Sequence, residues 1–323
     1  MNIKYFILSL CIFLKLTPII GQNETIITVS DQLTALPISY VNISFGDEDG
    51  IYTDKNGQFN LSLIVSDSMQ LSALGYETKI VYVDSIKEQF IGLNPVATQL
   101  EEVVLSDKKR KFKTEKTKSI NDKDFLNSYR NPIGGEIACL IENDYSDKEV
   151  QMKSVTIPSY NKTMDFAGKK EQVLKRHPFA TLYRIVFYTN ENGLPGKEIT
   201  MEPIVILFNE KTDKLNIDLE QHQIYLPKNG FYLSLLNLGP ADTEGNLIPT
   251  SPFYEKETKE GLYQFPKYIK PYFPVNYRKS KHSTYRRSSF EDDKSWTLFY
   301  LKESKKDIIN NITLGTELKV FED

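Results

Sequence analysis

Gly50-Ile-Tyr-Thr-Asp-Lys-Asn-Gly-Gln-Phe-Asn-Leu-Ser-Leu63 is two short runs joined by a tight turn, and it decides the fold class. Asp54 can accept hydrogen bonds from the amides that follow it, and Gly57 can take the positive φ that closes such a turn. In the second run Phe59, Leu61 and Leu63 recur at every second residue, the period of a strand with one buried face. Outward from this hairpin, Ile26-Ile-Thr-Val, Tyr40-Val-Asn-Ile-Ser-Phe, Met69-Gln-Leu-Ser-Ala and Lys79-Ile-Val-Tyr-Val have strand length, with turn residues between them. Helical periodicity is absent, so an antiparallel sandwich is predicted from Glu24 to about Leu93.

From Gly134 the strand pattern resumes with longer and more aromatic runs. They include Glu136-Ile-Ala-Cys-Leu-Ile, Lys153-Ser-Val-Thr-Ile, Thr181-Leu-Tyr-Arg-Ile-Val-Phe-Tyr, Pro203-Ile-Val-Ile-Leu-Phe, Leu215-Asn-Ile-Asp-Leu, Gln223-Ile-Tyr-Leu, Gly230-Phe-Tyr-Leu-Ser-Leu-Leu and Trp296-Thr-Leu-Phe-Tyr-Leu. The imperfect alternation of Leu182 to Tyr188 is that of a strand covered on both faces. Between the two regions, the run Asp107-Lys-Lys-Arg-Lys-Phe-Lys opens a polar stretch that reads as a solvated linker. The expected organisation is a signal peptide over 1–21, a sandwich over 22–106, a charged linker over 107–131 and a larger β-sandwich over 132–323. The fold class is all-β.

The order Pro37-Ile-Ser-Tyr-Val-Asn-Ile, Gly50-Ile-Tyr-Thr-Asp-Lys-Asn-Gly-Gln-Phe, Leu71-Ser-Ala-Leu-Gly-Tyr-Glu-Thr, Ile91-Gly-Leu-Asn-Pro and Leu100-Glu-Glu-Val-Val-Leu resembles the carboxypeptidase regulatory-like domain of Bacteroidetes envelope proteins. The resemblance covers about residues 24–106 and implies a seven-stranded transthyretin-like sandwich that is accessory to catalysis rather than catalytic. In many relatives this domain precedes a TonB-dependent transporter barrel. Too few residues follow here for such a pore, and their apolar residues are not organised as repeated ten-residue membrane strands. In the second region, Leu182-Tyr-Arg-Ile-Val-Phe-Tyr followed by Gly193-Leu-Pro-Gly resembles jelly-roll or galactose-binding-like modules.

Lys4, the apolar stretch Ile7 to Leu16 and the small residue Gly21 read as a secretory signal with Gln22 as the mature N-terminus. Export to the periplasm, the outer-membrane surface or the exterior is expected, with peripheral membrane association open. The 323 residues carry 40 Lys and Arg against 43 Asp and Glu, a formal charge of -3, and this balance gives no footprint for nucleic acid. Of 2 cysteines, Cys11 lies in the signal, so Cys139 has no partner for a disulfide within the mature chain and reads as a small buried hydrophobe.

Catalytic patterns are missing: there is no nucleophile elbow, phosphate loop, dinucleotide fingerprint or zinc-ligand spacing among His177, His222 and His282. Asp218, Glu220 and His222 alternate as one exposed strand face would. No cofactor is expected. Asp47-Glu-Asp-Gly50 and Asp54-Lys-Asn-Gly57 offer calcium its oxygen donors, but turn chemistry accounts for both. The feature that points to binding is an irregular, Pro-rich stretch from Pro249 to Phe290, whose rings could stack on a sugar or anchor a protein. Tyr263, Phe265, Tyr268, Tyr272 and Tyr277, with Arg278, are the candidate ligand-binding residues; core packing is the competing role for their rings. The reading is a non-catalytic exported envelope protein that recognises a glycan or protein partner through the second sandwich. The alternatives are an assembly component of an envelope complex and a carboxylate-dependent hydrolase.

Overall fold

A computed structural model describes residues 25–46, 48–96, 110–120, 127–145, 147–167, 171–199, 202–276, 283–299 and 311–322. The signal peptide, Asp47, Tyr277, Arg278 and His282 lie outside the described residues. Among the described residues the chain is all-β, with no α-helix.

The first sandwich has seven strands: β1 (Ile26–Asp31), β2 (Asn42–Ser44), β3 (Gly50–Tyr52), β4 (Gln58–Asn60), β5 (Ser68–Ser72), β6 (Lys79–Tyr82) and β7 (Phe90–Leu93). They form a sheet ordered β4-β1-β7, with β1 and β7 parallel, and a sheet ordered β3-β2-β5-β6. The predicted alternation holds in β1 and β5, where Ile27, Val29, Met69 and Leu71 are buried between the sheets with Ile43, Ile51, Phe59 and Leu93. The run read as a strand to Leu63 ends at Asn60, where the Asn60 side chain accepts from the Ser62 amide and Leu61–Leu63 turn as a 3₁₀ helix. Asp54 Oδ1 accepts from the amides of Asn56 and Gln58, each at 2.8 Å, and Gly57 sits at φ +71. The turn therefore forms as its sequence dictates.

The second region is built from β8 (Phe112–Thr117), β9 (Asn127–Pro132), β10 (Gly135–Ile141), β11 (Val150–Pro158), β12 (Lys162–Ala167), β13 (Glu171–Arg176), β14 (Ala180–Glu191), β15 (Leu194–Glu198) and β16 (Ile204–Asn209). It continues with β17 (Lys214–Asp218), β18 (Phe231–Pro240), β19 (Phe253–Thr258), β20 (Gly261–Pro266), β21 (Tyr268–Asn276), β22 (Thr284–Ser288), β23 (Thr297–Leu298), β24 (Asn311–Ile312) and β25 (Gly315–Phe321). Its main sheet runs β15-β14-β18-β10-β22-β23, with β16 also paired to β14. A four-stranded sheet, β17-β11-β25-β8, and a three-stranded sheet, β24-β21-β9, complete the sandwich.

Alternation along the central strands assigns their side chains to two faces. Tyr183, Ile185 and Phe187 of β14 and Phe231, Leu233 and Leu235 of β18 join Val155, Phe273 and Val320 from the smaller sheets in the sandwich core. Leu182 and Leu236 point the other way, and with Leu238 they form a second cluster that includes Tyr52 of the first sandwich and Phe290. The main sheet is therefore buried on both sides, as the imperfect alternation of Leu182 to Tyr188 indicates. Phe290 packs 5.2 Å from the ring of Tyr52, and a Cβ on either Gly50 or Gly134 would run into its ring. Polar contacts reinforce the junction: Asn42 Nδ2 donates to the Ser289 carbonyl at 2.9 Å, and the Tyr52 hydroxyl is hydrogen-bonded to Ser289 Oγ.

Three readings of the sequence are corrected. Residues 112–117, assigned to a linker, form β8, the edge strand paired antiparallel to β25, and residues 127–132 form β9, paired to β21. Its Lys and Glu residues disguised β8, although charged side chains suit an edge strand and Phe112 packs edge-on against Phe321 at 5.9 Å. The Pro-rich stretch read as irregular contains a regular hairpin, β19–β20, and the strand β21. Its prolines Pro252 and Pro266 flank the hairpin or stand at its end, positions a sheet edge tolerates. Finally, Glu220–His222 is a 3₁₀ turn rather than a strand face, with Asp218 Oδ1 accepting from the Glu220 amide at 2.9 Å.

Truncating Phe290 to Ala should remove the wedge between the sandwiches and cost about 3–5 kcal/mol, the usual penalty for a buried Phe. Urea unfolding of the variant beside the wild type measures it; a loss under about 1 kcal/mol would show that the junction is not held by this ring.

Candidate functional site

The β19–β20 hairpin places directly opposite residues on one face, and the register pairs Tyr254 with Phe265 and Lys256 with Tyr263. The Tyr254 and Phe265 rings stack at 5.7 Å with 26° between their planes. Tyr254 is 47% exposed, Tyr263 44% and, on the opposite face, Leu262 is 65% exposed. Several apolar groups left in water on one two-stranded hairpin are informative as a group. The outer edge of each hairpin strand pairs with no other strand among the described residues. Hairpin and ring positions thus combine free backbone groups with exposed apolar area.

At its base lies a groove of about 480 Å³, bounded by Pro252, Phe253, Pro266 and Tyr268 on one side and Tyr129, Arg286 and Glu291 on the other. Tyr268 is 52% exposed at the start of β21. Burial, followed by repulsion from Glu48 and Asp293, holds the Glu291 carboxyl above its ordinary value, with Arg286 opposing.

The candidate residues divide accordingly. Tyr263 and Phe265 share one face of the hairpin, while Tyr268 lines the groove with Phe253 and Pro266, which stand on the other face. Tyr272 does not join them: it is half-buried in β21, with the Arg130 guanidinium 4.9 Å from its ring centroid. Tyr277 and Arg278 fall outside the described residues. Tyr254 and Leu262 were not singled out in the sequence, although the alternation of Tyr254, Lys256 and Thr258 could have revealed a strand.

Behind the groove, the second face of the main sheet carries a charge network. Glu136, only 1% exposed, accepts from Arg287 Nε at 2.7 Å, from the Tyr188 hydroxyl at 2.8 Å and from Ser234 Oγ at 2.5 Å. Arg287 also donates to the Tyr188 hydroxyl at 2.6 Å and lies over the rings of Tyr188 and Trp296, at 5.0 and 4.3 Å. Pairing in the sheet produces this geometry, since Glu136 is directly opposite Arg287 across β10 and β22. Burial would lower the Arg287 pKa, but the attraction of Glu136 and the neighbouring groups outweighs it and raises it. Arg184 donates to Glu198 Oε1 at 2.7 Å. Burial nevertheless keeps the Glu198 carboxyl above the usual range, with Arg184 pulling it down.

Glu220 is paired with Lys319, and His222 lies 3.4 Å from Gln221 Nε2. Among the described residues no cluster of three or more His, Cys, Asp or Glu side chains could hold a metal ion. Asp54 uses its carboxylate to close its turn, and Asp49 Oδ1 accepts from the Gly50 amide and from Ser251.

Residues 28–105 match the family model of the CarboxypepD_reg-like domain, and the first sandwich is a domain of that family, a non-catalytic kind of module. No curated protein and no solved structure matches the chain.

Glu136→Ala leaves Arg287 buried without its partner and should cost about 3–5 kcal/mol, read by denaturant unfolding. Glu198→Gln tests the electrostatics through pH. Because burial raises the folded pKa of Glu198, its protonated form contributes stability below the ordinary Glu value, and that contribution disappears as pH rises through the folded value. The wild type should therefore gain stability relative to Glu198→Gln as pH falls from neutrality to about the unfolded Glu pKa of 4.3. A difference independent of pH would mean that Glu198 is not perturbed.

Proposed function

We propose that the chain is an exported, non-catalytic adaptor of a bacterial cell envelope, in which the β19–β20 hairpin docks a protein partner. The observation that carries this reading is the exposed set Tyr254, Leu262, Tyr263 and Phe265 on a two-stranded hairpin. Stacked rings on one face of the hairpin, with an exposed Leu on the other, suit the apolar anchor of a protein interface. Free strand edges add main-chain donors and acceptors that a partner strand can take up. A sugar platform is less well served, because Tyr254 and Phe265 cover part of each other's faces. The regulatory-like domain supports an accessory role, and the sequence features of residues 1–21 support export.

A photo-crosslinking residue at position 256, on the face that carries the rings, should yield one discrete protein adduct in intact cells, while the same residue at Lys55, on the turn of the first sandwich, yields none. Tyr254→Ser combined with Phe265→Ser should abolish the adduct at position 256 with little change in melting temperature, because both rings are exposed. Glycan-array binding lost in the same double variant, without any protein adduct, would replace the protein partner by a sugar. Fractionation and N-terminal sequencing should find a mature chain beginning at Gln22 in the envelope; an uncut chain in the cytosol would overturn the placement.

A further inference from the structure

The second face of the main sheet and the first sandwich enclose a cleft of about 280 Å³. Drug-sized ligands occupy roughly 300–1,000 Å³, so this volume suits a smaller molecule. Asn42 and Ser72 reach the cleft from the first sandwich, Arg184 and Glu198 from the second, and Lys294 from the segment that follows β22.

Polar groups here are incompletely used. Arg184 gives one terminal nitrogen to Glu198, yet its Nε is buried and has no hydrogen-bond partner among the described residues. Asn42 commits its Nδ2 to the Ser289 carbonyl, which fixes the orientation of the amide and leaves Oδ1 buried without a partner. Buried donors and acceptors are almost always satisfied, so a donor and an acceptor left over in one cleft need an explanation. Lys294 donates to Ser72 Oγ at 3.2 Å and stands at φ +43, a strained position for a residue with a β-carbon.

Charge narrows the chemistry. Arg184, Arg287 and Lys294 face Glu136 and Glu198, and the close pairing of Arg287 with Glu136 leaves the surplus cation on the Arg184 and Lys294 side. Burial also pushes the Lys294 ammonium down, with Arg287 adding to the effect and Asp292 opposing, as expected of a cation short of anionic neighbours. What fits is a molecule that presents an anionic acceptor to the Arg184 and Lys294 donors and a hydroxyl donor to Asn42 Oδ1.

We propose that the cleft between the sandwiches binds a small hydroxylated carboxylate, its carboxylate held by Arg184 and Lys294 and a hydroxyl donated to Asn42. The site uses none of the hairpin rings and stands independently of the adaptor reading.

Calorimetry and thermal shift on the full mature chain, at fixed ionic strength, test it with glucuronate, lactate, acetate and glucose. Glucuronate or lactate should bind saturably, and the tighter of the two separates a sugar acid from a short hydroxy acid. Acetate lacks the hydroxyl and glucose lacks the charge, so each should bind at least roughly tenfold more weakly. Lys294→Asn removes the ammonium and puts a residue tolerant of positive φ in its place. That variant should fold as well as the wild type and bind at least roughly tenfold more weakly, as should Arg184→Gln. The Tyr254→Ser, Phe265→Ser double variant should bind unchanged. No saturable binding of either hydroxy acid, glucose binding as well as glucuronate, or undiminished affinity in Lys294→Asn would overturn the proposal.

Discussion

A sheet with apolar side chains on both faces must be covered twice, and this constraint organises the molecule. Tyr183, Ile185 and Phe187 bury one face of the main sheet within its own sandwich, while Leu182, Leu236 and Leu238 on the other face meet Phe290 and Tyr52. Each fully buried side chain of this size contributes about 1.5–3 kcal/mol, so leaving the second face wet would forfeit much of the stability of a domain. The first sandwich is thereby a structural cover as well as a module of its own family. Glycine at positions 50 and 134 lets Phe290 sit close to both backbones, which is why two separately encoded sandwiches meet along one ring.

Burying that second face also creates the chemistry. Glu136 and Arg287 stand opposite one another on adjacent strands, with Glu136 almost wholly buried, and each requires a partner. Tyr188, Ser234 and Trp296 complete the arrangement through two hydroxyl bonds and a ring face. Such a lattice holds its members in fixed positions, so the neighbouring cleft inherits a rigid wall. The hairpin β19–β20 differs in kind. It contributes nothing to the buried clusters, its rings are wet and its strand edges pair with no other strand among the described residues. Stability therefore resides in the sheet and its cover, and the hairpin adds exposed apolar area outside them.

The candidate site was legible in part. Tyr263, Phe265 and Tyr268 could be picked out because flat rings gathered in a Pro-rich stretch suit stacking on a sugar or anchoring a protein, with core packing the competing role. Their organisation into a hairpin was not, since Glu255, Lys256, Glu257 and Lys259 mask the strand period and prolines argue against pairing. Tyr272 looked equivalent in sequence, yet its strand turns it toward Arg130. The cleft was invisible, because Asn42, Arg184 and Lys294 are 110 or more residues apart and only packing brings them together.

By itself the sequence determined what depends on short-range rules: the two-residue period of the strands, the turn at Asp54 to Gly57, the all-β class and the regulatory-like first domain. Each of these is set by neighbours within a few residues, where backbone geometry and side-chain burial are coupled directly. Tertiary structure alone decided that residues 112–117 form a sheet edge, that Phe290 joins the sandwiches, and that Glu136 faces Arg287 while Arg184 and Asn42 share a cleft. Those outcomes depend on strand order and on which face of a sheet is covered, and strand pairing between distant segments leaves no periodic trace in either segment.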